Sequence, residues 1–187
     1  MRILRAADHK AMPWKNGGGV TREVALMPGQ DVPFLWRISL ATIRSSGPFS
    51  RFPGIDRTIV ALRGNPVRLI SEGKDLARLT ALGDPFAFAG EVDIDAEIEG
   101  GETTDLNIMT ARGHASHEMK RLQWSGTLSI SGRQTLNAVV FTGAATVTIG
   151  EARHALAADD VILDLAAGEE LIVDSTGETT AYIIEIA

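Results

Sequence analysis

Short apolar segments recur along the whole chain, separated by Gly, Pro, Asp and Asn. Rich in Val, Ile, Thr and Phe, they predict strands at 20–27, 35–43, 57–63, 67–71 and 106–110. The second half continues with 127–131, 138–142, 145–149, 161–164, 171–174 and 180–186. A helical period is almost absent. Its best stretch, 152–158, is bracketed by Gly150 and Asp159-Asp160, so a loop or strand is expected there. So many short strands predict an all-β chain built as a sandwich, barrel or jelly roll. Two strands alternate on a period of two. Trp36, Ile38 and Leu40 share one face, with Arg37, Ser39 and Ala41 on the other. Asp105, Asn107 and Met109 likewise oppose Leu106 and Ile108.

The pattern repeats. Gly101-Glu102-Thr103-Thr104 returns unchanged as Gly177-Glu178-Thr179-Thr180, an offset of 76 (101 to 177), and a strand follows each copy. Asp84-Pro85-Phe86 falls on Asp160-Val161-Ile162 at the same offset. The strand ending at Gly64 resembles the one ending at Gly143, at an offset of 79 (64 to 143), so a three-residue indel reconciles the two. In the second copy, one strand ends at Gly143 and another runs to Gly150. A small loop then leads to Asp159-Asp160 before the next strand. That order resembles a cupin half-barrel. The expectation is an all-β double cupin, two jelly-roll β-barrels in one chain: 1–112 an N-terminal barrel with a ligand pocket, 113–187 a scaffold-like C-terminal barrel.

Composition narrows the function. The 187 residues carry a net charge of −6, and no Lys/Arg cluster supplies the basic footprint that nucleic acid requires. An acidic chain is equally unsuited to an anionic membrane surface. With no cysteine, disulfides, thiolate nucleophiles and Cys-based zinc sites are excluded. Arg2, Arg5, Asp8 and Lys10 interrupt the first ten residues, leaving no signal-peptide core, and no apolar run is long enough to span a bilayer. A soluble, cytoplasmic protein is expected.

Many cupin enzymes hold a metal with two His two residues apart, a Glu shortly after, and a third His from a second motif. Counting back from Gly64, the Glu place falls on Arg57 and the His pair among Ser50, Arg51, Phe52 and Pro53. The third His falls near Asp93, and the second copy's Arg133-Gln134-Thr135-Leu136 has no His pair. His114 and His117 beside Glu118 have the i, i+3 spacing of a helical metal site, but the segment reads as a connection between the lobes. His9 and His154 stand alone. No metal and no cofactor are expected.

The polar residues concentrate in the first half. Trp14, Lys15 and Asn16 precede three glycines, which form either a binding loop or a bend entering a strand. No Gly-Lys-Ser/Thr and no helix follow, so this is not a phosphate loop. Arg37 and Ser39 lie on a face of small side chains, which faces either a ligand or solvent. Phe49 and Phe52 flank Arg51 in a turn-rich loop and need a pocket or an interface to cover them. Arg57 offers a guanidinium to a ligand carboxylate, or pairs with Asp56, Glu23 or Asp105. Asp105 and Asn107 have apolar counterparts, Ala181 and Ile183, in the second copy. One barrel therefore binds and the other scaffolds, unless 105–109 is simply a polar edge strand.

These segments resemble the HutD/Ves family: Pro13-Trp14-Lys15-Asn16-Gly17-Gly18-Gly19 with Thr21 and Glu23, and Trp36-Arg37-Ile38-Ser39. Gly47-Pro48-Phe49-Ser50, Phe52-Pro53-Gly54-Ile55-Asp56-Arg57 and Asp105-Leu106-Asn107-Ile108-Met109 continue the match. The family usually has Phe where Leu106 stands. The resemblance covers roughly the first 110 residues, and the remainder is similar only in its cupin pattern. It implies a bicupin that binds a small molecule without established enzyme activity. Some members sit among histidine-utilisation genes, with urocanate or formylglutamate as the implied ligand, and others are described as stress-induced. The leading expectation is a non-catalytic protein capturing a small anionic metabolite in the N-terminal barrel through Trp14, Lys15, Asn16, Glu23, Arg37, Ser39, Phe49, Phe52, Arg57, Asp105 and Asn107. One alternative is a metal-independent isomerase, epimerase or hydrolase using Glu23 or Asp105 beside Lys15. The other is a structural module forming a homodimer through Phe49 and Phe52.

Overall fold

In the computed structural model, residues 1–134 and 136–187 are described; Thr135 lies outside them. The described strands of the first two thirds are β1 (Arg2–Leu4), β2 (Lys10–Pro13), β3 (Gly19–Met27), β4 (Trp36–Ile43), β5 (Gly47–Pro48), β6 (Ile55–Gly64), β7 (Val67–Ser71), β8 (Lys74–Leu79), β9 (Phe86–Ala89), β10 (Asp95–Ile98) and β11 (Thr103–Ala111). The rest are β12 (His117–Ser131), β13 (Leu136–Phe141), β14 (Ala145–Ile149), β15 (Ala152–Leu156), β16 (Val161–Leu163) and β17 (Glu170–Ile186). One 3-10 turn, Ala6–Asp8, is the only helix of any kind among the described residues, and no helix there is long and apolar enough to cross a membrane.

Lys10–Ser116 makes one unit; Met1–His9 with His117–Ala187 makes the other. This differs from the division at 112/113, because the first nine residues join the second unit. β1 pairs with β16, Ile3 opposite Ile162. The Asp160 carboxylate then accepts hydrogen bonds from the Ala6 N–H at 2.9 Å and from Arg5 at 2.7 Å.

The Lys10–Ser116 unit holds a six-stranded sheet in the order β2-β3-β4-β11-β6-β9 and a four-stranded sheet β5-β10-β7-β8. Val67, Leu69, Leu79, Ile94 and Ala96 are buried together with Ile59 and Ala61. The edge strand β8 was illegible as a strand because it pairs only with β7 and its Lys74, Asp75 and Arg78 are exposed. Charged edges of this kind resist pairing with other chains.

In the other unit one sheet joins β1, β12–β17, and the long β17 does the work of two strands. Its Ala181–Ile186 part pairs with β13, its Ile172–Asp174 part with β14, and β12 runs along its other side. The strands expected at 171–174 and 180–186 are thus one, and β12 absorbs the bend by a register shift between Trp124 and Gly126. The first half of β12 scatters Met119, Leu122 and Trp124 singly among charged and polar residues, with no apolar run and no period of two to mark a strand.

The pairing scheme of the two units matches. β11 pairs with β6 and β4, and β10 with β7 and β5, as β17 pairs with β13, β14 and β12. Thr104 stands opposite Arg63, and its copy Thr180 accepts a hydrogen bond from the Thr142 N–H. The partners preserve the offsets of 76 (104 to 180) and 79 (63 to 142). The interiors differ. The second unit is filled by Val139, Phe141, Val147, Ile162, Val173 and Ile183, with Trp124 edge-on to Phe141.

Candidate functional site

Strands β3, β4, β11 and β6 set side chains in register rows across the six-stranded sheet. The first row is Arg57–Met109–Arg37, the second Ile59–Asn107–Ser39–Glu23, the third Ala61–Asp105–Ala41–Thr21. A cavity of about 540 Å³ lies on this face. Every residue expected to touch a ligand lines it except Glu23. Trp14, Lys15 and Asn16 come from the β2–β3 turn, Arg37 and Ser39 from β4, Phe49 and Phe52 from the β5–β6 loop, Arg57 from β6, and Asp105 and Asn107 from β11. Glu23 instead accepts a hydrogen bond from Arg37 Nε at 3.0 Å and fixes that guanidinium.

Arg57 is the centre of the site. It is 7% exposed, and its guanidinium carbon lies 5.6, 5.5 and 4.8 Å from the ring centroids of Phe49, Phe52 and Phe88. Nη1 donates to the Ser50 carbonyl at 3.3 Å, and Nε has no hydrogen-bond partner. Asp56 is engaged by Arg112 at 2.7 Å and Glu23 by Arg37, so neither is its counter-ion. Burial pulls the Arg57 pKa down to about 10; the charge of Asp105 opposes this and that of Arg37 adds to it. Phe88 escaped the sequence reading. It stands opposite Arg57 across the β6–β9 ladder, and the Phe86-Ala87-Phe88 alternation was its only signal.

Asp105 is fully buried, and its Oδ1 lacks a hydrogen-bond partner, as does Oδ1 of Asn107. Burial raises the Asp105 pKa to about 7, against the pull of Arg57. These residues are in a central strand, β11, and not at a polar sheet edge. In the second unit, Ala181 and Ile183 take their places in the apolar core, and Glu185, the counterpart of Met109, pairs with Lys120 at 3.2 Å. Asn137 stands opposite Glu185 as Arg57 stands opposite Met109, and it donates to the carbonyls of Gln134 and Leu165. Within the stretch Arg133-Gln134-Thr135-Leu136, Thr135 lies outside the described residues.

The glycine run is a turn that also supplies the cavity wall. Gly17 has φ +73°, the left-handed region that favours glycine, and the Asn16 side chain accepts from the Gly18 N–H at 3.0 Å. A Cβ on Gly19 would lie 2.5 Å from the Thr42 carbonyl oxygen and 3.0 Å from the Trp14 ring. The missing Cβ leaves room there for the Trp14 ring, whose Nε1 donates to the Thr21 hydroxyl at 2.9 Å. Gly19→Ala should therefore lower unfolding free energy by about 1–3 kcal/mol. Urea titration reads the loss, and Trp fluorescence reads the displaced indole.

The other sequence candidates fall elsewhere. Asp93 is exposed, pairs with Arg51 at 3.2 Å and does not line the cavity. His114 sits in a turn and His117 begins β12, so their i, i+3 spacing makes no helical face. Glu118 pairs with Lys120 at 2.8 Å. No group of three or more His, Asp or Glu among the described residues is placed to hold a metal ion.

Comparison with known proteins places these features in context. The family model described as HutD matches residues 6–182. An uncharacterized 21.2 kDa protein in the hutC 3′ region of Pseudomonas putida is 40% identical over 125 residues, 66% of this chain and 64% of that protein. Protein Ves of Escherichia fergusonii is 41% identical over 107 residues, 55% of this chain and 56% of that protein. The match thus spans about three fifths of the length of these curated relatives. A solved structure of a conserved protein of unknown function from Pseudomonas aeruginosa PAO1 superposes with TM-score 0.88 at 29% identity, covering 99% of this chain and 97% of that one. HutD from Pseudomonas fluorescens SBW25, in a formate condition, gives TM-score 0.79 at 28% identity over 100% and 98%. A cupin 2 conserved barrel domain protein from Leptotrichia buccalis gives 0.62 at 10% identity over 98% and 100%, a likeness of fold alone. The all-β fold is cupin-like.

Proposed function

We propose that this chain, which belongs to the HutD family, is a double cupin that binds a small carboxylate in the cavity of its Lys10–Ser116 unit. It acts as a cytoplasmic binding or regulatory protein, not a catalyst. The observation that carries this reading is Arg57: a buried guanidinium, caged by three rings, with Nε unpaired at the wall of a cavity. A carboxylate arriving there forms a charge-assisted pair in a site already stripped of solvent. Arg37 in the same row adds to the positive potential. The repeated pairing scheme supports the double cupin, and the family's tie to the hut region favours urocanate or formylglutamate as ligand.

The rings of Phe49 and Phe52 pack on Arg57, which favours a pocket over a dimer interface as the reason for two Phe residues in this loop. At a ligand concentration of about 100 times Kd, binding adds about 2.7 kcal/mol, a Tm rise of roughly 5–10 °C. Differential scanning fluorimetry with urocanate and formylglutamate tests this. A flat Tm for both acids and related ones, identical in wild type and Arg57→Ala, contradicts it.

A catalytic reading draws on a separate feature, the buried Asp105 carboxyl lining the cavity with Oδ1 unpartnered, which burial pushes up to a pKa of about 7, a range that suits an acid or base at neutral pH. Conversion of a bound acid, lost in Asp105→Asn, would move the protein into that class.

A further inference from the structure

We propose that the cavity recognises two groups on one ligand: a carboxylate at the arginine row, and an N–H donor at Asp105 and Asn107. This rests on the anion-binding reading above and specifies the chemical class of the anion.

Three side chains that line the cavity are at least nine-tenths buried and carry unpartnered atoms, and their signs differ. Arg57 Nε is a donor, whereas Asp105 Oδ1 and Asn107 Oδ1 are acceptors. A buried polar atom without a partner is destabilising, so native proteins keep few of them without a functional reason. A simple carboxylate would complete only Arg57.

The neighbouring strands cannot complete the acceptors. Asp105 stands between Ala41 and Ala61, and neither side chain has a polar atom. Asn107 stands between Ser39 and Ile59, and its Oδ1 takes no hydrogen bond from the Ser39 hydroxyl. Nor does the fold itself demand polar residues here. The second unit builds the same strand with Ala181 and Ile183 in an apolar core. Asp105 and Asn107 both line the cavity, which is the side left for a donor to reach them.

The rows fix the spacing. Successive cavity-facing residues of a strand are about 6.6 Å apart, so Asn107 lies one such step from the arginine row and Asp105 two. Met109, Ser39 and Ala41 floor the path between. A slender acid with an amide or ring N–H a few bonds from its carboxylate fits this arrangement.

The test uses two acids of one shape. Urocanate carries an imidazole N–H; 3-(2-furyl)acrylate has the same acrylate carboxylate on a five-membered ring with no N–H. Isothermal titration of the full chain at pH 8 should give urocanate the tighter binding by about tenfold or more. The double substitution Asp105→Ala with Asn107→Ile installs the second unit's residues, so the strand retains a side-chain set that this fold already packs. In that variant, urocanate should weaken to the level of furylacrylate. Equal affinities in wild type, or a preference that survives the double substitution, overturn the two-group proposal. If both acids bind equally and both are lost in Arg57→Ala, the anion site stands and only the donor requirement fails. Binding of neither acid overturns the two-group proposal, and the anion reading falls with it when formylglutamate fails as well.

Discussion

Replacing Arg57 with methionine is expected to abolish carboxylate binding while making the ligand-free protein more stable. Both effects have one cause. The guanidinium is held out of water, and burial lowers its pKa to about 10. Three aromatic rings and one carbonyl compensate only in part, because Nε remains unpaired. Methionine fills the same volume among Phe49, Phe52 and Phe88 and needs no hydrogen bond. Stability should rise by about 1–2 kcal/mol, a Tm gain of roughly 2–8 °C. A bound carboxylate loses its charged partner in a desolvated site, a loss of about 2–5 kcal/mol, thirtyfold or more in Kd. Urea unfolding and calorimetric titration read the two effects. A variant that is less stable and still binds would mean that Arg57 is structural.

Stability should also fall as pH rises from about 4 to about 7, and Asp105 should account for the slope. Its carboxyl is fully buried, and its pKa is raised from 3.8 to about 7, first by that burial and against the attraction of Arg57. Between these values the folded chain holds a proton that the unfolded chain has released, so unfolding free energy decreases with pH across that window. Below about pH 4 both states are protonated, and above about 7 both are ionised, so the contribution levels off. The full effect is on the order of 4 kcal/mol as an upper bound. Asp105→Asn should remove the slope and leave the variant more stable than wild type at pH 8. Chemical denaturation at pH 5, 6.5 and 8 measures it. Parallel pH profiles for wild type and Asp105→Asn would place the titration elsewhere.

The faces of the central strands were legible because alternation survives without knowledge of neighbours. Arg37-Ser39-Ala41 and Asp105-Asn107-Met109 both line the cavity as one face each. What alternation cannot supply is register. Arg57, Met109 and Arg37 form one row only through the β6–β11 and β11–β4 ladders, the first of which shifts register at Thr104/Asp105. Without that row, Glu23 read as a ligand contact; in the fold it stands beside Ser39 and holds Arg37. Phe88 was missed for the same reason, since its contact with Arg57 exists only through the β6–β9 ladder. The transfer of residues 1–9 to the second unit depends on a three-residue strand and the carboxylate of Asp160, too little periodicity to register. The matching pairing schemes of the two units have their sequence signal in Gly101-Glu102-Thr103-Thr104, which recurs letter for letter at 177–180. The difference between the two interiors followed from comparing Asp105 and Asn107 with Ala181 and Ile183.

The central claim, that a small carboxylate sits on Arg57 inside the Lys10–Ser116 unit, is tested most directly by a crystal structure of the chain grown with urocanate. The expected density places the carboxylate within hydrogen-bond distance of the Arg57 guanidinium, with the imidazole directed toward Asn107 and Asp105. Urocanate bound at another surface, with the Arg57 cavity holding only solvent, would contradict it.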